Sequence, residues 1–171
     1  MIRVYLARHG LAMSDRFLPV EVRPLSAKGR RRARKTAAAF ARLGETVDSV
    51  YTSPYVCAVQ SAEILADASG TEQVRVLDEL RPTEPAERLL RSVSRLVGDG
   101  KGVLLIGHEP QLSAIAALLF GLEPSLLRFR RGAIARVDVE SLTPGTAAEP
   151  RWWLRPKTAG LEGGAPLREP G

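Results

Sequence analysis

Residues 2–10 read IRVYLARHG, and this stretch decides how the rest of the chain is interpreted. An apolar run of this length is typical of a buried strand, and Gly10 allows the chain to leave the strand through a tight turn. Arg8 and His9 would then lie at the carboxyl end of the strand, which is where open α/β sheets bind ligands. We therefore expect the first strand to carry functional side chains.

The composition indicates a single globular domain. The chain has 171 residues, of which 44% are hydrophobic and 26% are charged. No apolar run approaches the ~20 residues that a membrane span needs, and the first residues do not match an export signal. The only cysteine, Cys57, excludes an internal disulfide framework and, with only two histidines, a zinc site. We expect a cytoplasmic protein with no membrane partner.

The chain is basic, with a formal net charge of +6 and a pI near 10.1. This charge fits either a solvated basic surface or attraction for an anionic substrate, phosphate above all, and composition does not separate the two. Arginines at 30–34 and 128–131 raise the question of nucleic-acid binding. No recognition-module motif accompanies them, and the first cluster surrounds its predicted helix, so we expect no nucleic-acid partner.

Apolar runs alternate with amphipathic segments along the chain. Strands are predicted in the N-terminal run and at 47–52, 74–77, 102–106 and 133–139, with a last, edge strand at 151–154. Helices are predicted after Ser26, after Pro54, around 89–97 and after Pro110. This alternation predicts one three-layer α/β/α domain with a mainly parallel sheet over residues 1–155. Residues 156–171 are rich in Gly and Pro and are predicted to be a disordered tail.

The two histidines occupy matching places in the sequence. Each follows a strong apolar strand and adjoins a glycine, in RHG at 8–10 and in GHE at 107–109. The carboxyl ends of parallel strands lie on one side of a sheet, so His9 and His108 are expected to meet over one pocket. An imidazole can attack phosphorus or move a proton near neutral pH, whereas two unrelated capping residues would not recur in this arrangement.

Three separated blocks of sequence resemble the histidine phosphatase superfamily, in the branch that also holds the cofactor-dependent phosphoglycerate mutases. The blocks are RHG at 8–10, TSP at 52–54 with AVQSA at 58–62, and GH at 107–108. The short chain, VRPLS at 22–26 and Gly29 look more like the small phosphohistidine phosphatases of the SixA type. The resemblance covers nearly all of residues 1–155 and implies a phosphoglycerate mutase-like fold.

The resemblance also implies a two-step phosphoryl transfer. His9 would attack phosphorus and carry the phosphoryl group, Arg8 and His108 would bind the phosphate oxygens, and water would release the group. Fixed donors are the main requirement, because negative charge is held on three equatorial oxygens. His9 must be neutral, so a main-chain carbonyl near Gly10 is the expected partner of its other ring nitrogen. Such a scheme needs no metal and no other cofactor.

One position departs from the family pattern. The second block reads Ser-Pro-x-x-Arg-Ala in the family, and here Cys57 holds the place of that phosphate-binding arginine. A neutral thiol cannot form a charge-assisted contact with phosphate. Either another arginine fills the space, with Arg23 the first candidate and Arg81 the second, or the protein is a weakened phosphatase or phosphate binder. A third reading makes the thiolate itself reactive, which neighbouring arginines would favour.

The general acid and the substrate are left open by the sequence. Glu84, between Glu79 and Glu87, is a candidate acid, although the small branch works on phosphohistidine, whose imidazole leaves more easily than an alkoxide. No long insertion separates Leu65 from Val103, which favours a shallow pocket for a phosphorylated protein over a closed metabolite pocket. We expect a protein phosphohistidine phosphatase. The alternatives are a phosphatase of small phosphate esters and a catalytically feeble phosphoprotein-binding module.

Overall fold

The computed structural model describes residues 1–166, which form one seven-stranded sheet with four α-helices. The strands are β1 (Ile2–Arg8), β2 (Ser49–Thr52), β3 (Val74–Val76), β4 (Gly102–Gly107), β5 (Ile134–Val139), β6 (Ala148–Leu154) and β7 (Leu161–Gly163). The helices are α1 (Ala27–Arg42), α2 (Val56–Ser69), α3 (Ala86–Leu96) and α4 (Gln111–Phe120), and short 3-10 turns lie at 20–22, 78–80 and 124–126. The predicted α/β fold is confirmed.

The sheet has a parallel half and an antiparallel half. Its order is β3-β2-β4-β1-β5-β6-β7. Strands β3, β2, β4 and β1 run parallel, with Arg8 beside Gly107 and Thr52 beside Ile106 in the register. Strands β5, β6 and β7 each pair antiparallel with their neighbours. The expectation of a mainly parallel sheet therefore holds for β3, β2, β4 and β1 and not for β5, β6 and β7. The short connection at 140–147 leaves room only for an antiparallel pairing of β5 with β6.

The C-terminal region differs from the sequence prediction. The strand predicted at the edge, β6, is covered by β7, which pairs Leu154 with Leu161 and Trp152 with Gly163. Arg155 and Glu162 form an ion pair across this hairpin. The prediction of a disordered tail is thus wrong for residues 156–166. The sequence does not reveal β7, because the strand has only three residues and no hydrophobic period. The rest of the predicted tail, 167–171, lies outside the described residues.

Two hydrophobic cores hold the helices on opposite faces of the sheet. On β1, Val4 and Leu6 face the core formed with α3 and α4, whereas Tyr5 and Ala7 face the core formed with α1 and α2. Each of these four side chains is at most 1% exposed. This alternation follows from the two-residue period of a strand and fixes β1 in the middle of the protein. The strand that ends in Arg8 is therefore held from both sides.

Local signals in the sequence set the ends of the helices. Ser26 caps α1 by accepting a hydrogen bond from the backbone N–H of Gly29 at 3.0 Å. Gly29 also allows the loop after β1 to approach α1, since a Cβ there would lie 2.0 Å from the carbonyl oxygen of Leu11. The loop that follows His9 is thereby packed against the start of α1. Among residues 1–166, no helix is long and apolar enough to cross a membrane.

Candidate active site

The carboxyl ends of β1, β4 and β2 meet at one edge of the sheet and present three polar residues. His9 follows β1, His108 follows β4 and Ser53 follows β2. The backbone N–H of His9 donates to Gly107 O at 3.2 Å, and that of Ser53 donates to Ile106 O at 3.0 Å. These bonds continue the parallel ladder beyond the strands. They bring the two histidines together, as their positions in the sequence predict.

His9 is held in one tautomer by the residue that follows it. Its Nδ1 lies 2.7 Å from Gly10 O, and a carbonyl oxygen can only accept, so Nδ1 carries the proton and Nε2 keeps its lone pair. The expected carbonyl partner is thus confirmed. Gly10 is fixed in turn, because its N–H donates to Ser61 Oγ at 3.0 Å. A Cβ at Gly10 would come within 2.9 Å of Leu25 Cδ2, so a larger residue there would require the Leu25 side chain to shift.

His108 lies against His9 and is bound by the end of β2. The centroids of the two rings are 4.7 Å apart. His108 Nε2 lies 2.7 Å from Ser53 Oγ, and the ring of Tyr55 packs edge-on against His108 at 4.6 Å. With Nε2 engaged by Ser53, Nδ1 is the nitrogen of His108 that remains for a ligand. The serine of the second sequence block therefore orients the second histidine.

Both imidazoles are neutral at physiological pH. Burial lowers the pKa of His9 to about 4, with the charges of Arg8 and Arg131 lowering it further and the hydrogen bond to Gly10 opposing them. Burial also lowers the pKa of His108 to about 3, with His9 and Arg8 adding to the effect. A neutral His9 with a free Nε2 lone pair is the form that can attack phosphorus.

A cavity of about 310 Å³, which we call the histidine cavity, is lined by both histidines. Its lining residues are His9, Leu11, Ala12, Met13, Ser14, Val20, Arg23, Tyr55, Cys57, His108 and Arg131. In the part of the chain that the structure describes, no aspartate or glutamate lines this cavity. The cavity therefore offers cationic and neutral donors for an anion, and it lacks a carboxylate for proton donation.

Arg8 and the loop before β5 are fixed to each other. Arg8 Nη1 donates to Phe129 O at 2.7 Å, and the N–H of Gly132 lies 3.0 Å from both Arg8 O and His9 O. Phe129 is fully buried, and its N–H donates to Glu109 Oε1 at 2.6 Å. Arg8 Nε is buried and has no hydrogen-bond partner among residues 1–166. Buried donors are normally paired, so this Nε is a donor without a partner. Arg8 directly precedes His9 but is not among the residues that line the histidine cavity.

Arg131 enters the histidine cavity from this loop, and the sequence analysis did not find it. The charge of Arg131 acts to lower the pKa of both His9 and Cys57. Arg131 is therefore near the nucleophile candidate and near the position at which the family has its arginine. The signal was present but indirect. Strand β5 runs antiparallel to β1, so the segment before β5 must lie beside the end of β1. Without that pairing, FRRG at 129–132 is only a basic loop.

The structure separates the residues that the sequence left open. Cys57 is 3% exposed, and burial raises the pKa of its thiol, which argues against a reactive thiolate. Arg23 lines the histidine cavity, and its Nε donates to Leu18 O at 2.9 Å. Arg81 is absent from the cavity lining and pairs with Asp78 at 3.0 Å. Glu84 is also absent from the lining and pairs with Arg88 at 2.8 Å.

Comparison with known proteins agrees with this geometry. A family model described as the histidine phosphatase superfamily (branch 1) matches residues 4–85. An uncharacterized protein of Picosynechococcus sp. is 33% identical over 138 residues, which are 78% of this chain and 82% of that protein. The protein histidine phosphatase SixA complexed with tungstate superposes with a TM-score of 0.79 at 28% identity, over 90% of this chain and 97% of that one. The chain belongs to the histidine phosphatase superfamily.

Within the superfamily the chain is of the SixA type. A phosphohistidine phosphatase SixA of Nakamurella multipartitia, described as putative, superposes at 25% identity over 98% of this chain and 93% of that one, with a TM-score of 0.60. A mycobacterial glucosyl-3-phosphoglycerate phosphatase shares the fold, with a TM-score of 0.68 at 17% identity over 85% of this chain and 96% of that one. Membership in this superfamily indicates a phosphatase, which is a hydrolase of phosphate-bearing substrates.

Proposed function

We propose that this protein is a phosphohistidine phosphatase that acts on phosphorylated protein side chains through a phosphorylated His9. The observation that carries the proposal is the state of His9. It is neutral, its Nδ1 is bound to Gly10 O, and its Nε2 lone pair is free in a cavity that two arginines and a second histidine also line. The similar SixA phosphatase forms a complex with tungstate, an oxyanion, which supports oxyanion binding by a protein of this fold.

In the first step, His9 Nε2 attacks phosphorus and forms a P–N bond while the bond from phosphorus to the leaving group breaks. Arg8, Arg131 and His108 bind the phosphate oxygens, and Arg23 closes the other side of the cavity. Charge spreads over three equatorial oxygens in the transition state, so fixed cations and N–H donors supply the main stabilisation. In the second step, water attacks the phosphorylated His9, and inorganic phosphate leaves with the free imidazole restored.

The absence of a carboxylate in the histidine cavity supports phosphohistidine as the substrate. An alkoxide leaving group needs a proton as the bond to phosphorus breaks, because its conjugate acid is very weak. A phosphohistidine ring that carries a proton on its other nitrogen leaves as neutral imidazole, whose conjugate acid has a pKa of about 6.5, so no carboxylic acid has to supply a proton as the bond breaks. A cavity that residues 1–166 line with cations and neutral donors, and with no Asp or Glu, suits the second case.

Arg131 is the residue that we assign to the role of the missing family arginine. Cys57 and Arg131 line the same cavity, and the loop that carries Arg131 is fixed to the backbone of Arg8 and His9 through Gly132. In this assignment, Cys57 stands where the family has its arginine, and the loop before β5 supplies the positive charge through Arg131. This supports an active phosphatase over the binding module that Cys57 alone suggests.

The test is hydrolysis of a phosphohistidine peptide and of para-nitrophenyl phosphate by the wild type and by His9→Ala. We expect wild-type turnover, an acid-labile phosphorylated protein in a rapid quench, and the loss of both in His9→Ala. Labelling that persists in His9→Ala removes His9 from the role. An inert wild type that still binds tungstate supports the binding module. Hydrolysis of the ester with none of the phosphopeptide supports a small-ester phosphatase.

A further inference from the structure

A second depression shares Leu11 and Arg131 with the histidine cavity, and we call it the basic groove. It has a volume of about 340 Å³ and lies between α1, the loop at 128–132 and the turn after β6. It is lined by Arg8, Gly10, Leu11, Arg32, Ala33, Arg128, Arg130, Arg131, Gly132, Pro156 and Lys157. Six of these residues are cations, and among residues 1–166 no acidic side chain lines the groove.

Most cations of the groove have no acidic partner in the described part of the protein. Within residues 1–166, Arg32, Arg128, Arg131 and Lys157 form no salt bridge, and Arg8 donates to a main-chain carbonyl. The pKa of Arg8 is lowered mainly by burial. The charges of Arg131 and Arg128 lower it further, and the charge of Glu109 opposes them. Like charges held together raise the local positive potential, which concentrates anions.

The backbone that presents these side chains is fixed. Phe129 is buried between exposed Arg128 and Arg130, and its N–H is bound to Glu109, whose carboxylate also accepts from Ser113 Oγ at 2.7 Å. The N–H of Arg128 donates to Pro166 O at 2.9 Å. Because the loop is held at both ends, binding an anion requires the ordering of side chains only.

The groove adjoins the histidine cavity. Leu11 and Arg131 line both, and Arg8, which lines the groove, directly precedes His9. A long substrate whose phosphoryl group is bound at His9 can therefore reach the groove past Leu11 and Arg131. The flanking part of the substrate would meet Arg32, Arg128 and Lys157 there.

We propose that the basic groove binds a short acidic segment of the protein substrate, next to its phosphorylated residue. The proposal rests on the proposed function. A single second phosphate would be bound by converging, buried donors, whereas these cations are mostly exposed and come from four separate parts of the chain. Several carboxylates on one extended polypeptide match such a spread of charge, so the protein would select phosphohistidines with Asp or Glu beside them.

The experiment compares two peptides that carry a non-hydrolysable phosphohistidine analogue and differ only in having Glu or Gln at the flanking positions. Binding is measured by fluorescence anisotropy, so the result does not depend on turnover. The test variant is Arg32→Glu/Arg128→Glu/Lys157→Glu, with Arg128→Glu/Lys157→Glu as a milder version that leaves the half-buried Arg32 in place. The control variant, Arg31→Glu/Arg75→Glu/Arg95→Glu, changes the net charge equally at exposed sites outside the groove.

We expect the wild type to bind the Glu peptide about tenfold more tightly than the Gln peptide, since three exposed charge pairs each contribute severalfold or less. The preference should shrink as salt rises, vanish in the test variant and persist in the control. The rate of para-nitrophenyl phosphate hydrolysis should stay near that of the wild type in the two test variants and in the control variant.

Three outcomes overturn the proposal. They are equal affinity of the wild type for both peptides, a preference that survives in the folded test variants, and an equal loss in the control variant, which would mean attraction by net charge alone. Competition by a small bisphosphate or by DNA at physiological salt, stronger than by the Glu peptide, would assign the groove to those ligands. A wild type that hydrolyses neither para-nitrophenyl phosphate nor a phosphohistidine peptide would count against the proposed function, not against binding of acidic peptides in the groove.

Discussion

Replacement of Arg131 by methionine tests whether this residue has taken over the work of the missing family arginine. Met removes the guanidinium and keeps a long side chain. One hydrogen bond to a charged group contributes about 1.5–3 kcal/mol, so kcat/KM for para-nitrophenyl phosphate and phosphohistidine peptide should fall roughly tenfold to a hundredfold. The loss cannot come from protonation of His9, because burial is the first cause of its pKa of about 4 and remains in the variant.

Moving the charge back to the family position provides the sharper test. Cys57 and Arg131 line the same cavity, so Cys57→Arg should restore part of the activity when it is added to Arg131→Met. Inhibition by tungstate should weaken in Arg131→Met and recover in the double variant. Cys57→Ala should keep wild-type activity, because the thiol is buried and neutral.

Arg128→Met is the matched control, since Arg128 comes from the same loop but does not line the histidine cavity. It should leave ester hydrolysis unchanged. The unfolding midpoint in urea separates a lost phosphate contact from a lost fold, which matters for Cys57→Arg at a position that is 3% exposed. Arg131→Met with kcat/KM within about twofold of wild type would refute the assignment. A folded double variant no more active than Arg131→Met would refute the shared position.

Two further predictions concern protonation. The pKa values of His9 and His108 are depressed to about 4 and about 3 in the folded protein, so the unfolded chain binds more protons below its pKa of about 6.5. Stability is therefore complete above about pH 6.5 and falls as the pH drops, by roughly 3 kcal/mol for His9 down to pH 4. Urea unfolding between pH 4 and 7 and NMR titration of the only two histidines measure this. A ring that titrates near 6.5 would contradict it, and His9→Gln should flatten the slope. Glu84→Gln should change phosphohistidine hydrolysis less than about twofold, because Glu84 pairs with Arg88 outside the histidine cavity. A tenfold loss, compared with Glu87→Gln as a control, would restore Glu84 as the acid.

Local patterns in the sequence determine the parts of the protein that depend on neighbours along the chain. The apolar run of β1 identifies a buried strand, and the single side chain of Ser26 identifies the start of α1. The position of His9 and His108 after parallel strands follows from the same signals, because strand order and direction place both at one edge. The hydrogen bond from His9 to Gly10 joins adjacent residues, and it too could be expected from the sequence.

Contacts between distant segments decide what the sequence left open. Arg131 reaches the histidine cavity only because β5 pairs antiparallel with β1, and a basic loop has no pattern that reports this pairing. The low pKa values of the histidines and the raised pKa of Cys57 come from burial, which is a property of packing. Strand β7 escaped prediction because three residues on the edge of a sheet bury too little apolar surface to need a periodic pattern. The sequence by itself determined the nucleophile candidate and the gap at Cys57, and only the tertiary structure adds Arg131 to Arg23 as a cation in the cavity that Cys57 lines, because strand pairing and not local pattern brings that loop there.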